Sequence, residues 1–170
     1  MKKFNKGFTL IELLIVIALL GALAVGLLAA LDPFEQLKKG TDTGTRNTVS
    51  EFQGATIRYY AIKNYMPWCS GSSDNCADPT STELSSLSSS ISNIISTGEL
   101  KVDFSALAGG QLDSIFVTGT NDPPEVAVCF KPTSKSFASN PNTKFTKAGV
   151  DGSPTCPTGN PSDECYWCVK

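Results

Sequence analysis

The chain has 170 residues, six cysteines, no histidine and a formal net charge of −2 at pH 7. Without histidine it lacks the usual base of a catalytic triad and any His-x-x-x-His metal pair. It also contains no G-x-S-x-G motif and no phosphate-binding glycine loop, so we expect no enzyme, no cofactor and no metal. The weak acidity argues against binding through bulk positive charge, and no nucleic-acid partner is expected.

The N-terminus combines a short basic peptide with a long apolar run. Residues 1–7 read Met-Lys-Lys-Phe-Asn-Lys-Gly, and the run that follows reaches Leu31 with Glu12 as its single charge. As a helix, residues 8–31 would measure about 36 Å, enough to cross a bilayer with some tilt. A carboxylate inside a spanning helix costs about 3 kcal/mol, so Glu12 is a candidate functional residue that requires a partner.

This layout resembles the N-terminal signal of type IV prepilins and type II secretion pseudopilins, over the leader and apolar run only. The resemblance implies that a prepilin peptidase cuts after Gly7 and methylates the new N-terminus at Phe8. It also implies that Glu12 meets the Phe8 amine of a neighbouring subunit during assembly on an inner-membrane platform. Both a surface pilus and a secretion or DNA-uptake pseudopilus fit these residues.

Two other signals share the same general layout. An ordinary secretory signal would use the small residues Ala22 and Ala24 as its cleavage site, but its apolar region has about 7 to 15 residues. The uncharged run from Leu13 to Leu31 has 19. A plain signal anchor explains that length but neither Gly7 nor Glu12.

Charge placement predicts the orientation. Three lysines precede the span, while the charges between Asp32 and Lys39 cancel, so the positive-inside rule places the N-terminus in the cytoplasm. We expect a single-pass membrane protein whose cysteine-bearing part lies outside the cytoplasm, where disulfides persist. The resemblance implies later transfer to a periplasmic or extracellular filament.

Residues 32–66 form the predicted outer half of the N-terminal helix. Asp32, Pro33 and Glu35 match a capping box with proline at the first helical position, so the helix kinks or restarts there. Poor propensity over residues 40–44 predicts an interruption of the helix, and Pro67 ends the helix near Tyr65. Five residues recur at helical spacing and predict a face that docks on a sheet: Val49, Phe52, Thr56, Tyr59 and Ile62.

Residues 67–170 are predicted to form a small α+β head. Thr80 and Glu83 match a capping box, Gly98 is a stop signal, and five apolar residues between them follow one helix face: Leu84, Leu87, Ile91, Ile94 and Ile95. Short strands are predicted over residues 114–118, 125–130 and 165–169, in an antiparallel sheet. With the helix, this gives a pilin-like lollipop stapled by disulfides.

The six cysteines are Cys69, Cys76, Cys129, Cys156, Cys165 and Cys168, and six cysteines allow 15 pairings. Sequence separation favours Cys69 with Cys76. For the other four we choose Cys129 with Cys168 and Cys156 with Cys165. A redox C-x-x-C motif at Cys165 and Cys168, or a zinc site, is the alternative, but no helix follows the motif.

Two further groups of residues are candidate binding sites. Asp151, Asp163 and Glu164 lie in a loop comparable to the calcium loop of some pseudopilins, but their spacing fits no EF-hand and we interpret them as solvated turn acids. Three aromatic residues near the tip, Trp68, Phe137 and Phe145, are interpreted as core residues.

The sequence therefore predicts a structural subunit of a type IV pilus-like filament. Its expected partners are other pilin or pseudopilin subunits, prepilin peptidase, the assembly platform and membrane lipid. The first alternative is a signal-anchored binding module outside the cytoplasm. A membrane-anchored thiol oxidoreductase is the second.

Overall fold

The computed structural model describes residues 7–30 and 32–170. The chain divides into two compact units, Met1–Gln36 and Leu37–Lys170. Helix α1, Leu10–Ala30, lies in the first unit, and helix α2, Pro33–Lys63, begins in the first and continues into the second. The predicted restart is confirmed, because α2 begins at Pro33 and the Glu35 N–H donates to Asp32 Oδ1 at 3.3 Å.

The predicted interruption at residues 40–44 was wrong, because helix α2 runs through them without a break. Threonine hydroxyls here donate to the carbonyl four residues earlier, as Thr43 does to Lys39 at 2.7 Å and Thr45 to Thr41 at 3.1 Å. Such bonds satisfy the hydroxyls inside the helix instead of letting them compete with its backbone. Asp42, within this stretch, also accepts hydrogen bonds from the backbone of Thr133 and Ser134, which add to its stability.

The predicted docking face of α2 is confirmed at four of its five positions. Val49, Phe52, Thr56 and Tyr59 are buried. The prediction was wrong for Ile62, whose side chain is 56% exposed because α2 ends one residue later, at Lys63.

The sheet is antiparallel and has four strands in the order β1-β2-β3-β4. Strand β3 has the predicted bounds, while β2 runs two residues further than expected and β4 is shorter than predicted. The strands are β1, Thr82–Glu83; β2, Ile115–Thr120; β3, Glu125–Phe130; and β4, Trp167–Val169. Tyr166, expected in the last strand, instead forms an isolated bridge with Phe145.

The predicted helix over residues 80–97 was wrong in its first half. Glu83 lies in β1 opposite Phe116 and makes no capping bond; a 3₁₀ helix, Leu84–Leu87, follows, and helix α3 covers Ser88–Ser96. The apolar pattern still marks buried residues, with Leu84, Ile91 and Ile94 all in the core. Gly98 ends the segment at a φ of 79°, as the stop signal predicts.

The second unit has one main core on the α2 side of the sheet. Val126, Val128 and Phe130 of β3 point into this core, and the alternate residues Ala127 and Cys129 point to the opposite face. Helix α4, Phe104–Ala108, a 3₁₀ helix, Gly109–Ser114, and helix α5, Lys135–Ala138, were not predicted. The α+β fold with a long apolar N-terminal helix and a disulfide-stapled antiparallel sheet is confirmed.

Candidate processing and assembly site

Gly7 and Phe8 precede α1 in non-helical backbone. Both are exposed, Phe8 at 79%, and among the described residues no atom beyond the chain neighbours of Gly7 lies within 4 Å of the position that a side chain on Gly7 would occupy.

Glu12 has a role that the sequence reading missed. Its Oε2 accepts hydrogen bonds from the Thr9 N–H at 2.8 Å and from the Thr9 hydroxyl at 2.6 Å, and the Glu12 N–H donates to Thr9 Oγ1 at 3.3 Å. This reciprocal arrangement is a capping box at the start of α1. The signal was present in the sequence as Thr-x-x-Glu, but Glu12 was considered only as a partner for an amine.

The capping geometry leaves half of the carboxylate for other contacts. Both hydrogen bonds from Thr9 go to Oε2, and Oε1 accepts none from the described residues. Glu12 can therefore start the helix within its own chain and still offer an oxygen to a positive group from outside.

The remainder of α1 is apolar on all sides. Mean hydropathy over Leu10–Leu28 is 2.8, and no residue of this segment is buried by the chain itself. By length and composition the helix could cross a membrane, although an N-terminal signal sequence would meet the same criteria.

A comparison with known families separates these possibilities. Residues 2–28 match the family described as prokaryotic N-terminal methylation motif. This match covers 27 of the 170 residues and supports the resemblance to the signal of type IV prepilins and pseudopilins, whose precursors are processed by prepilin peptidase. No curated protein and no solved structure matches the chain.

The cysteines of this pilin-like chain form three disulfides. Cys69 bonds to Cys76, Cys129 to Cys168, and Cys156 to Cys165, the same pairs that were chosen from the sequence. No free cysteine remains in the described part of the chain. Since Cys165 and Cys168 have different partners, the C-x-x-C motif holds two separate structural bonds, which contradicts the redox alternative.

The acids of the C-terminal loop have separate protein partners. Asp151 pairs with Lys144 at 2.8 Å, and Glu164 pairs with Lys131 at 2.7 Å and accepts from the Tyr166 hydroxyl at 2.9 Å. The ammonium of Lys144 and the Ser153 N–H hold the pKa of the Asp151 carboxyl well below its usual range.

Glu164 and Tyr166 affect each other in opposite directions. Hydrogen bonds from Lys131 and Tyr166 lower the pKa of Glu164, while burial and the bond to Glu164 raise the pKa of Tyr166 to about 12. Within the residues that the structure describes, no group of three histidine, cysteine or acidic side chains could hold a metal ion.

The aromatic residues divide between the core and the outer sheet face. Trp68 and Phe137 are buried, as expected, while Phe145 is half-buried. The sequence reading found no basic cluster beside these rings, yet Lys144 and Lys170 lie within 5.5 Å of the Phe145 ring centre. These lysines are 26 residues apart in the chain and meet only through the fold.

Proposed function

We propose that this protein is a subunit of a type IV pilus-like filament and has no enzymatic activity. The prepilin signal followed by a helix whose whole apolar surface is left exposed by its own chain carries the proposal. Such a surface is stable only against lipid or against other apolar helices. The subunit first spans the membrane with its N-terminus in the cytoplasm and later packs α1 against the α1 helices of other subunits.

Processing prepares the N-terminus for assembly. Cleavage after Gly7 releases the Phe8 amine, which is then methylated but still carries a positive charge. Thr9 remains after cleavage, so the capping box with Glu12 remains as well. The mature chain therefore carries an amine and a carboxylate four residues apart at the start of α1.

These two charges select the register between subunits. In the membrane both lie near the cytoplasmic interface, where water and headgroups reduce their cost. In a filament core the Phe8 amine of an incoming subunit can bind Glu12 Oε1 of the subunit above it. Removing one partner of such a desolvated pair costs about 3 to 5 kcal/mol.

The test separates helix capping from charge pairing. Glu12→Gln keeps a side chain that can cap the helix but removes the charge, whereas Thr9→Val keeps the charge and removes the capping hydroxyl. Filaments are sheared from cells and pelleted, with both variants at equal membrane levels. The filament yield of Glu12→Gln should fall at least about tenfold. Thr9→Val should assemble. Wild-type yield from Glu12→Gln would show that Glu12 acts only as a cap or a processing signal.

Processing is tested in the native host by intact mass and N-terminal sequencing. We expect a mature chain that begins with N-methylated Phe8, and an uncut leader in Gly7→Val because a branched side chain then occupies the cleavage position. A mature start near Val25 would contradict the proposal and favour ordinary secretion.

A further inference from the structure

Gln53 of α2 is a buried amide without a hydrogen-bond partner in the described chain. The residue is 7% exposed. Every side-chain nitrogen or oxygen that is closed off from solvent among the described residues has a partner. The Gln53 amide, which has none there, is therefore not closed off, and its open side faces the groove that it lines.

The comparably buried amide of Asn121 shows what the fold does with such a group. The Asn121 oxygen accepts a hydrogen bond from the Met66 N–H at 2.8 Å, and the Asn121 nitrogen donates to the Ser73 carbonyl at 3.3 Å. Buried polar groups of native proteins are normally paired in this way. The open donor and acceptor of Gln53 indicate a group that binds from outside the chain.

The groove beside β3 into which Gln53 opens has a volume of about 670 Å³, within the range of small-molecule sites. Gln53, Ile57 and Tyr60 form its α2 side, and their spacing of four and three residues places them on one helix face. Across from them the lining is apolar and includes Val126 of β3 and Val150.

Two hydrogen-bonding groups flank an apolar centre on the α2 side. The hydroxyl of the half-buried Tyr60 has no hydrogen-bond partner within the described chain either. Tyr60 lies seven residues after Gln53, which is about 10 Å along the helix axis. Ile57 lies between them and is 48% exposed. The α2 side therefore reads polar, apolar, polar along the groove.

The groove offers no charge next to Gln53. The charged residues that line it, Glu125 and Lys170, are both exposed, while Gln53 and Tyr60 are neutral at pH 7. A charged group beside the Gln53 amide would be buried without an opposite charge, which is unfavourable. A neutral amide carries both a donor and an acceptor, so it matches the two open functions of Gln53.

We propose that this groove binds a small uncharged molecule with an amide head and an apolar body. The amide of the ligand exchanges two hydrogen bonds with the Gln53 amide. Its apolar body covers Ile57 and Val126, and a hydroxyl at its far end meets the Tyr60 hydroxyl. The occupant is a free small molecule, and the proposal does not depend on processing or filament assembly.

The probe is hexanamide, titrated into ¹⁵N-labelled full-length protein in detergent micelles. The backbone amide signals of Ile57 and Val126 report binding by NMR. We expect a saturable shift with a dissociation constant in the low millimolar range, since the probe is small. Hexanoate, which has the same length but a charged head, should bind at least about tenfold more weakly. Equal binding of both probes, or no saturable shift up to about 50 mM hexanamide, would overturn the proposal.

A substitution at Gln53 separates ligand binding from folding. Gln53→Met keeps the length of the side chain and removes the amide, so hexanamide should bind about tenfold more weakly. The urea midpoint should not fall, because the amide has no partner to lose within the described chain. Gln111→Met, at a half-buried position outside the groove, is the matched control and should bind hexanamide normally. A lower urea midpoint with unchanged binding in Gln53→Met would contradict the proposal.

A longer probe tests the orientation along α2. A hydroxyl at the far end, as in 6-hydroxyhexanamide, should improve binding about fivefold, and Tyr60→Phe should abolish this gain. No gain with the wild-type protein would refute the placement of the ligand between Gln53 and Tyr60. Sedimentation of wild type and Gln53→Met completes the test. Self-association that is lost in Gln53→Met would identify an amide side chain of a second copy as the occupant and overturn the small-molecule site.

Discussion

Helix α1 and the Leu37–Lys170 unit differ in whether their apolar side chains are buried within the chain. Every described side chain of α1 over residues 10–28 is exposed, while the second unit buries most of its large apolar side chains in a core of its own. The first segment can become stable only through contacts outside the chain, and the second through contacts within it. A change in one should therefore affect assembly or membrane insertion, and a change in the other should affect unfolding.

Two hydrogen-bonded carboxylates show the same contrast. Glu12 is held by Thr9, three residues away. Asp42 is buried and accepts bonds from the backbone and hydroxyls of Thr133 and Ser134, more than 90 residues further along the chain. The contact of Glu12 is thus local, whereas that of Asp42 forms only when the second unit folds.

The largest effect is expected from a core truncation. Phe52 is fully buried and stacks near Phe104, with ring centres 6.3 Å apart. Phe52→Ala should destabilise the second unit by about 3 to 5 kcal/mol. Leu19→Ala, on exposed α1, should leave this unfolding transition unchanged. Urea unfolding followed by the fluorescence of the buried Trp68 and Trp167 measures both, and an equal loss in the two variants would contradict the division between the segments.

Removing disulfides one pair at a time sharpens the comparison. Replacing Cys129 and Cys168, 39 residues apart, by alanine should cost about 4 kcal/mol in the chain-entropy model. Replacing Cys69 and Cys76, 7 apart, should cost about 2.5 kcal/mol. Membrane insertion of α1 should not change in either variant. The same urea experiment measures the stability loss of each variant. A larger loss for the Cys69–Cys76 pair than for the Cys129–Cys168 pair would mean that local packing outweighs loop entropy.

How well each element could be predicted follows from the range of its contacts. Strand β3 and the restart at Pro33 were predicted because alternation and capping are local patterns. A helix is predicted around Glu83 because Thr80 and Glu83 match the capping-box pattern. In the structure Glu83 pairs with β2 instead, and no local pattern shows where a strand distant in sequence will lie.

The candidate site divides in the same way. Gly7, Phe8 and Glu12 could be predicted as candidates because the prepilin-type signal is contiguous in the sequence. By contrast, the groove of about 670 Å³ beside β3 is lined by residues of α2, of the adjoining ends of β2 and β3 and of segment 148–150, so no sequence pattern contains it. Gly149 lies there at a φ of 74°, and a Cβ at this position would come within 2.6 Å of Ala127 Cβ. Its backbone thus packs directly on β3, which the sequence could not show.

The contact of Asp42 should give an intermediate effect. In Asp42→Asn one acceptor oxygen is replaced by a donor that faces the N–H groups of Thr133 and Ser134. Because the one remaining oxygen must then serve two N–H groups and two hydroxyls, at least one buried donor loses its partner, and the unit should lose about 1.5 to 3 kcal/mol. Asp113→Asn, at an exposed position, is the matched control and should change stability little. Equal stability of the two variants would show that the hydroxyls and backbone find other partners.

The smallest effect concerns pH and the exposed ion pair of Asp151 with Lys144. The pKa of Asp151 is lowered by folding, so the folded state holds its proton less tightly than the unfolded state. The pair therefore stabilises the unit fully above the unfolded pKa of about 4, and the contribution disappears as pH falls below that value. Asp151→Asn removes the carboxylate and with it this contribution to stability.

The measurement compares urea midpoints of wild type and Asp151→Asn between pH 2 and 7. The difference should be small and constant at neutral pH, shrink below about pH 4, and decrease at high salt because both groups are exposed. Asp113→Asn again serves as the control. A difference that grows on acidification would mean that the carboxylate is held protonated in the folded state, opposite to the direction that its contacts with Lys144 and Ser153 require.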